Sequence, residues 1–196
     1  MPVTTSLRRL DFEEALAHVD SGAVFVDLRP VSAYLDVHIR GSLELLYEFG
    51  PGFAGRARDC LPLDLELILL DLGYGNPDNA AAALRGKGFS VAGTVADGIN
   101  QWAKHRGPPI STEIIEGDTA AGGIAIDVGD PGAGRCEGAH QLPLEELWTM
   151  APELGGSKRV VVVAGWGVRA ALAVGILEHR GIEEVAFWRQ DPERLS

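Results

Sequence analysis

Residues 160–181 read VVVVAGWGVRAALAVGILEHRG: a valine run, a glycine-rich turn, then a segment rich in Ala and Leu. A buried strand that turns tightly into a helix aims backbone N–H groups at one point, where an anion or an activated nucleophile can be held. A second such point lies at Asp71-Leu72-Gly73-Tyr74-Gly75-Asn76, between the apolar run LELILL and the segment NPDNAAAALRGKG. The chain has two cysteines, Cys60 and Cys136. Neither stands in either turn. Two cysteines are too few for a disulfide framework and have no metal-ligand spacing, so both read as reduced thiols. His18, His38, His105, His140 and His179 are scattered, with no pair at helical spacing, and predict no metal site.

Charge narrows the partners. With 17 Lys and Arg against 28 Asp and Glu, the net charge is −11, which repels a phosphate backbone and an anionic membrane surface. Nucleic-acid and membrane partners are therefore not expected. The opening stretch MPVTTSLRRLDFEEALAHVD has no apolar core of signal-peptide length, and no run approaches a membrane span. A cytoplasmic protein is expected.

The elements that position the two turns follow from periodicity. Asp11 and Glu14 are spaced as a capping box ahead of Phe12, Ala15, Leu16 and Val19, which share one helical face. AVFVDL (23–28), LELILLDLG (65–73) and SVAGTV (90–95) are apolar runs of the kind expected for strands buried on both faces. NPDNAAAALRGKG and DGINQWAKHRG predict helices that end in glycine. GPPISTEIIEGDTAAGG (107–123) has no apolar periodicity and reads as a linker.

Beyond the linker the pattern recurs. GIAIDVGDP echoes AVFVDLRP; LPLEELWTMAPEL predicts a helix, RVVVVAGWG a strand, VRAALAVGILEHRG a helix and EEVAFW a last strand. Gly88, at the end of one helix, lies 17 positions after Asp71, and Gly181 lies 17 positions after Ala164. Alternating buried strands and helices, twice over, predict an α/β fold of two small domains, each a parallel sheet with helices on both faces. The boundaries are set at 1–109 and 110–196, the second domain abbreviated.

These residues resemble the rhodanese family in tandem form. VDLRPVSAYLDVHIRG is similar to the family's D-x-R-x-x-x-x-Y-x-x-x-H-I-x-G signature through Asp27, Arg29, Tyr34, His38, Ile39 and Gly41. ADGINQW resembles its G-G-I-x-x-W element through Gly98, Ile99 and Trp102. Ala164-Gly165-Trp166-Gly167-Val168-Arg169 stands where the family has C-x-x-G-x-R. The resemblance implies a cysteine thiolate that takes a sulfane sulfur from a donor such as thiosulfate and hands it on as a persulfide.

This chain departs from the family at that residue in both copies, with Asp71 in the first and Ala164 in the second. The first loop also lacks the family's glycine and arginine positions, and the second copy's DPGAGRCEGAHQLP lacks the His-Ile pair. The chain stops at FWRQDPERLS, where the family adds a further turn and helix. The expectation is therefore a rhodanese-like protein without sulfur transfer, acting as a binding or regulatory module. It would use no cofactor, and its ligand would be a small oxyanion at residues 165–169 or a protein partner.

Other chemistries were weighed. A displaced nucleophile would be Cys60, eleven residues before Asp71, or Cys136, on a glycine-rich and exposed segment, giving a sulfurtransferase of the thiosulfate type. Asp71 after an apolar run is similar to the aspartate of receivers and haloacid-type hydrolases, but Gly73 and Arg29 stand where those need acidic partners. GWGVRA matches the dinucleotide fingerprint, yet only fifteen residues follow Gly181, too few to complete that sheet. Arg169 reads either as an anion holder or as a structural ion pair, Trp166 as a plug or a packing residue, and Trp102, Trp148 and Trp188 as core positions.

Overall fold

Two parallel sheets organise the chain, and strands in both end in an aspartate, Asp27 and Asp71 in one and Asp127 in the other. The computed structural model describes residues 6–47, 52–117, 122–130, 136–156, 159–164 and 167–189. Contacts gather these into two compact units, Met1–Pro30 with Leu45–Pro109, and Val31–Glu44 with Ile110–Ser196. The partition breaks after Pro109, but residues 31–44, placed by the sequence with the first domain, group with the second.

In the first unit, helix α1 (Phe12–Asp20) starts at Asp11, whose carboxylate accepts the Glu14 N–H at 2.7 Å. Glu14 turns to Arg8 rather than back to the cap. Strand β1 (Val24–Asp27) is buried at every position. Helix α2 (Val31–Asp36) and the two-residue strand β2 (Leu43–Glu44) follow and belong to the second unit. Helix α3 (Gly52–Cys60) leads to strand β3 (Glu66–Asp71), then helix α4 (Pro77–Gly86), strand β4 (Ser90–Ala96) and helix α5 (Gly98–His105). Strand β3 lies between β1 and β4, parallel to both. Phe25 of β1 takes the Phe12 ring of α1 and the Trp102 indole of α5, their centroids 6.2 and 6.3 Å away, so those helices cover its face. Ala80, Ala81 and Leu84 bury the inner side of α4, which packs on β3 and β4.

The second unit holds strand β5 (Glu113–Glu116), strand β6 (Ile124–Asp127), strand β7 (His140–Gln141), helix α6 (Leu144–Met150), strand β8 (Arg159–Val163), helix α7 (Gly167–His179) and strand β9 (Glu184–Arg189). The sheet order is β5-β9-β8-β6-β7, all parallel. Strand β5 corrects the linker reading. Its EIIE segment is too short, and too closely flanked by Pro and Gly, to show a period, but Ile115 is buried and the strand completes its ladder along β9. Helix α6 gives way to a 3-10 turn at Ala151–Gly156, where Pro152 cannot continue the α-helical ladder.

The two sheets share a local pattern at their strand ends. Asp27 and Asp127 each end a strand, and each accepts through Oδ1 the N–H two residues on, from Arg29 at 3.0 Å and from Gly129 at 2.9 Å. Their carbonyls accept the N–H groups of Leu45 and Leu142 at 2.9 and 3.0 Å. Asp27 lies beside Leu70 in the ladder, and Asp127 beside Val163. The residues that follow those partners, Asp71 and Ala164, therefore stand at matching positions of the two ladders.

Candidate functional site

Both points lie where a parallel strand ends and the chain turns toward a helix. In the first copy Asp71 closes β3 and its carbonyl accepts the Asp97 N–H at 3.4 Å. Its carboxylate reaches the Gly73 N–H at 3.4 Å, a long bond that folds the loop back over the strand end. Gly73 and Gly75 have φ of +79° and +69°, the left-handed region where glycine is at ease. A methyl at Gly75 would stand 2.7 Å from the Tyr47 ring, so the loop also needs glycine there for close approach. Leu72 is half-buried and Tyr74 is exposed at the tip. Asn76, and not Asp71, caps α4, accepting the Asn79 N–H at 3.1 Å. The first loop is thus exposed from Gly73 to Asn76, with a carboxylate at its root.

In the second copy Ala164 is buried at the end of β8. Gly165 and Trp166 lie outside the described residues. Gly167 opens α7 and Val168 stands half-buried in its first turn. Arg169 points back across the strand ends. Its Nε–H donates to the Val128 carbonyl at 2.7 Å, and its two terminal nitrogens donate to the two Glu145 oxygens at 2.9 and 3.0 Å. Asp130 stands 3.2 Å from the same guanidinium. Burial favours the protonated form of Glu145, but hydrogen bonds and charge from Arg169 outweigh it, so the carboxyl sits below its usual range. The arginine reaches protein oxygens in three directions.

The cysteines lie elsewhere. Cys60 is the last residue of α3 and is buried. Cys136 is buried as well, which corrects the exposed position expected from its glycine-rich surroundings. Its N–H donates to Asp127 Oδ2 at 3.0 Å, and its side chain joins Ile115, Val161, Val163, Ala186 and Trp188 in the core. Burial pushes its thiol pKa up, and the negative charges of Asp127 and Glu137 push it further. A thiolate there is disfavoured, the reverse of what nucleophilic sulfur requires. Trp188 is buried as expected, whereas Trp102 and Trp148 are only half-buried. Trp148 stacks on His179 with centroids 5.1 Å apart, and the Arg180 guanidinium lies 5.6 Å from its ring.

Sequence reasoning passed over Asp97. It holds φ +54° at the end of β4, next to Asp71, and accepts Asn100 Nδ2–H at 2.5 Å. Its place immediately before Gly98 was the available signal. No group of three or more His, Cys, Asp or Glu among the described residues is arranged to hold a metal ion.

No family model matches the chain. It is 32% identical over 98 residues to the thiosulfate sulfurtransferase GlpE of Pseudomonas savastanoi pv. phaseolicola, a span covering 50% of this chain and 89% of that protein. The chain belongs to the rhodanese-like sulfurtransferase family. A GlpE thiosulfate sulfurtransferase of Stutzerimonas stutzeri is 33% identical over 98 residues, 50% of this chain and 86% of the relative. Among solved structures, the Alr3790 protein from Anabaena sp. is similar at 23% identity and a TM-score of 0.43, covering 52% of this chain and 82% of that one. In this rhodanese-like chain the parallel strands flanked by helices hold Asp71 and Ala164 at equivalent strand ends, and no helix among the described residues is long and apolar enough to cross a membrane.

Proposed function

We propose that the chain is a tandem rhodanese-like module, 1–109 and 110–196, that binds rather than transfers sulfur. In the reaction that the family resemblance implies, a thiolate attacks the sulfane sulfur of thiosulfate, the S–S bond breaks, sulfite leaves with its electron pair, and a persulfide remains for an acceptor. This needs a polarizable sulfur at the strand end. The observation that carries the reading is the pair of equivalent positions, occupied by Asp71 and Ala164. A methyl cannot attack, and a carboxylate oxygen forms no persulfide. The burial and raised pKa of Cys136 support the same reading.

The ligand is then a small oxyanion at the second loop or a protein partner. The bonds Arg169 makes to Glu145 and Val128 favour the partner, because an anion would have to displace Glu145. A sulfurtransferase acting through Cys136 or Cys60 is the second reading, favoured by the names of the GlpE relatives.

A thiosulfate:cyanide assay separates the two. The expected result is no thiocyanate from the wild-type protein and measurable turnover from Ala164→Cys. Wild-type turnover abolished by Cys136→Ala or Cys60→Ala would establish the second reading instead.

A further inference from the structure

Residues 31–44 are flanked on both sides by the first unit, which holds the chain through Pro30 and again from Leu45. Their contacts nevertheless run along the length of α7. At the first turn, a Cβ on Gly167 would stand 3.2 Å from Val31 Cγ1. Midway, a Cβ on Gly175 would stand 2.3 Å from the Ser42 carbonyl and 3.0 Å from the Tyr34 hydroxyl, so only glycine lets the two backbones approach this closely. At the last turn, Glu178 accepts the Gly41 N–H at 3.0 Å, and the same carboxylate lies 3.1 Å from His38 Nε2.

The segment also fastens to itself and to the entry of β5. The Tyr34 hydroxyl donates to the Ser42 carbonyl at 2.7 Å, and the Tyr34 and His38 rings stack with centroids 4.1 Å apart. His38 and Ile110 exchange backbone hydrogen bonds at 2.8 and 2.9 Å, and the Thr112 N–H donates to the Leu35 carbonyl at 2.8 Å. Tyr34, His38, Ser42 and Glu178 are all buried. Buried polar groups tied in this way are costly to separate one at a time, so they open together.

We propose that residues 31–44 form a strap that folds and opens cooperatively with α7. Val31 meets the first turn of α7 and Gly41 its last, so the strap spans the helix from end to end. This inference does not depend on whether either copy transfers sulfur.

Native-state hydrogen exchange on the full chain, followed by mass spectrometry under increasing sub-denaturing urea, tests it. In the wild-type protein, amides of 31–44 should show the same urea dependence as those of 167–179. Gly175→Ala and Tyr34→Phe should accelerate exchange of both segments by about tenfold or more and leave β3 and β4 unchanged. Gly93→Ala places a methyl 2.5 Å from the Arg8 carbonyl within the first unit; it should accelerate β1, β3 and β4 and spare the strap. If Gly175→Ala does not fold, Tyr34→Phe, which loses a single hydroxyl, gives the same readout. A strap whose exchange follows β3 and β4, or a chain in which every segment opens together in all variants, would overturn the proposal.

Discussion

Replacing Gly175 by alanine sets two opposing effects against each other. In a helix interior alanine is favoured over glycine by about 1 kcal/mol. Here the new methyl would lie 2.3 Å from the Ser42 carbonyl oxygen and 3.2 Å from Leu43 Cα, so the backbone opposite must retreat by roughly 1 Å to reach ordinary contact. Forcing an extra methyl into a filled core costs about 1–3 kcal/mol. The retreat also pulls the Ser42 carbonyl from the Tyr34 hydroxyl, and a buried group that loses its partner costs about 1–3 kcal/mol. After the propensity gain, the net loss is about 3 kcal/mol, which for a chain of this size lowers Tm by about 6–12 °C. Gly55 lies in α3 with nothing within 4 Å of the added carbon, so Gly55→Ala should stabilise the protein by up to about 1 kcal/mol. Urea unfolding followed by tryptophan fluorescence measures both. A Gly175→Ala protein as stable as wild type, beside a Gly55→Ala protein that behaves as stated, would refute the close-packing argument.

Three further outcomes are expected. His38→Leu strands the buried Glu178 carboxylate, with only the Gly41 N–H among the strap contacts described to satisfy it; it should cost about 3–5 kcal/mol in urea unfolding, and Glu178→Leu in the same chain should restore much of the loss. Cys136 should react with a disulfide reagent at mildly alkaline pH far more slowly in the native protein than in urea, because burial and the nearby Asp127 and Glu137 charges disfavour its thiolate; equal rates would contradict the core placement. His179 is exposed, but partial desolvation by its neighbours and then the Arg180 charge lower its pKa. Its unfolded form therefore binds the proton first, and the stability it contributes is present above about pH 6.5 and falls as pH drops toward the folded value. A urea midpoint recorded between about pH 7.5 and pH 5 should lose part of its acid decline in His179→Phe.

The α/β fold was legible because strands buried on both faces are written as continuous apolar runs, and the acids that end several of them stand out against Val and Leu. Asp27, Asp127, Asp71 and Ala164 could be placed by counting alone, and the ladders put them at matching positions. Strand β5 was not legible, since EIIE owes its extended shape to pairing with β9, a partner about seventy residues away. The grouping of residues 31–44 was hidden for a related reason. What draws them to α7 is the absence of a side chain at Gly175 and a buried carboxylate at Glu178, neither of which marks a local pattern. Cys136 misled because glycine-rich surroundings read as a surface loop, whereas one bond from its backbone to Asp127 turns the sulfur inward. The commitment of Arg169 to Glu145 joins residues on two helices, α7 and α6, and arises only once both are in place.

Helix α7 is enclosed from Ala170 through Glu178 without an exposed position. An element wrapped on every side takes its place from its wrapping, and the identity of the residue just ahead of it matters little to where it rests. The spot just ahead of it is dry, and the methyl of Ala164 asks there for neither a hydrogen bond nor a counter-charge.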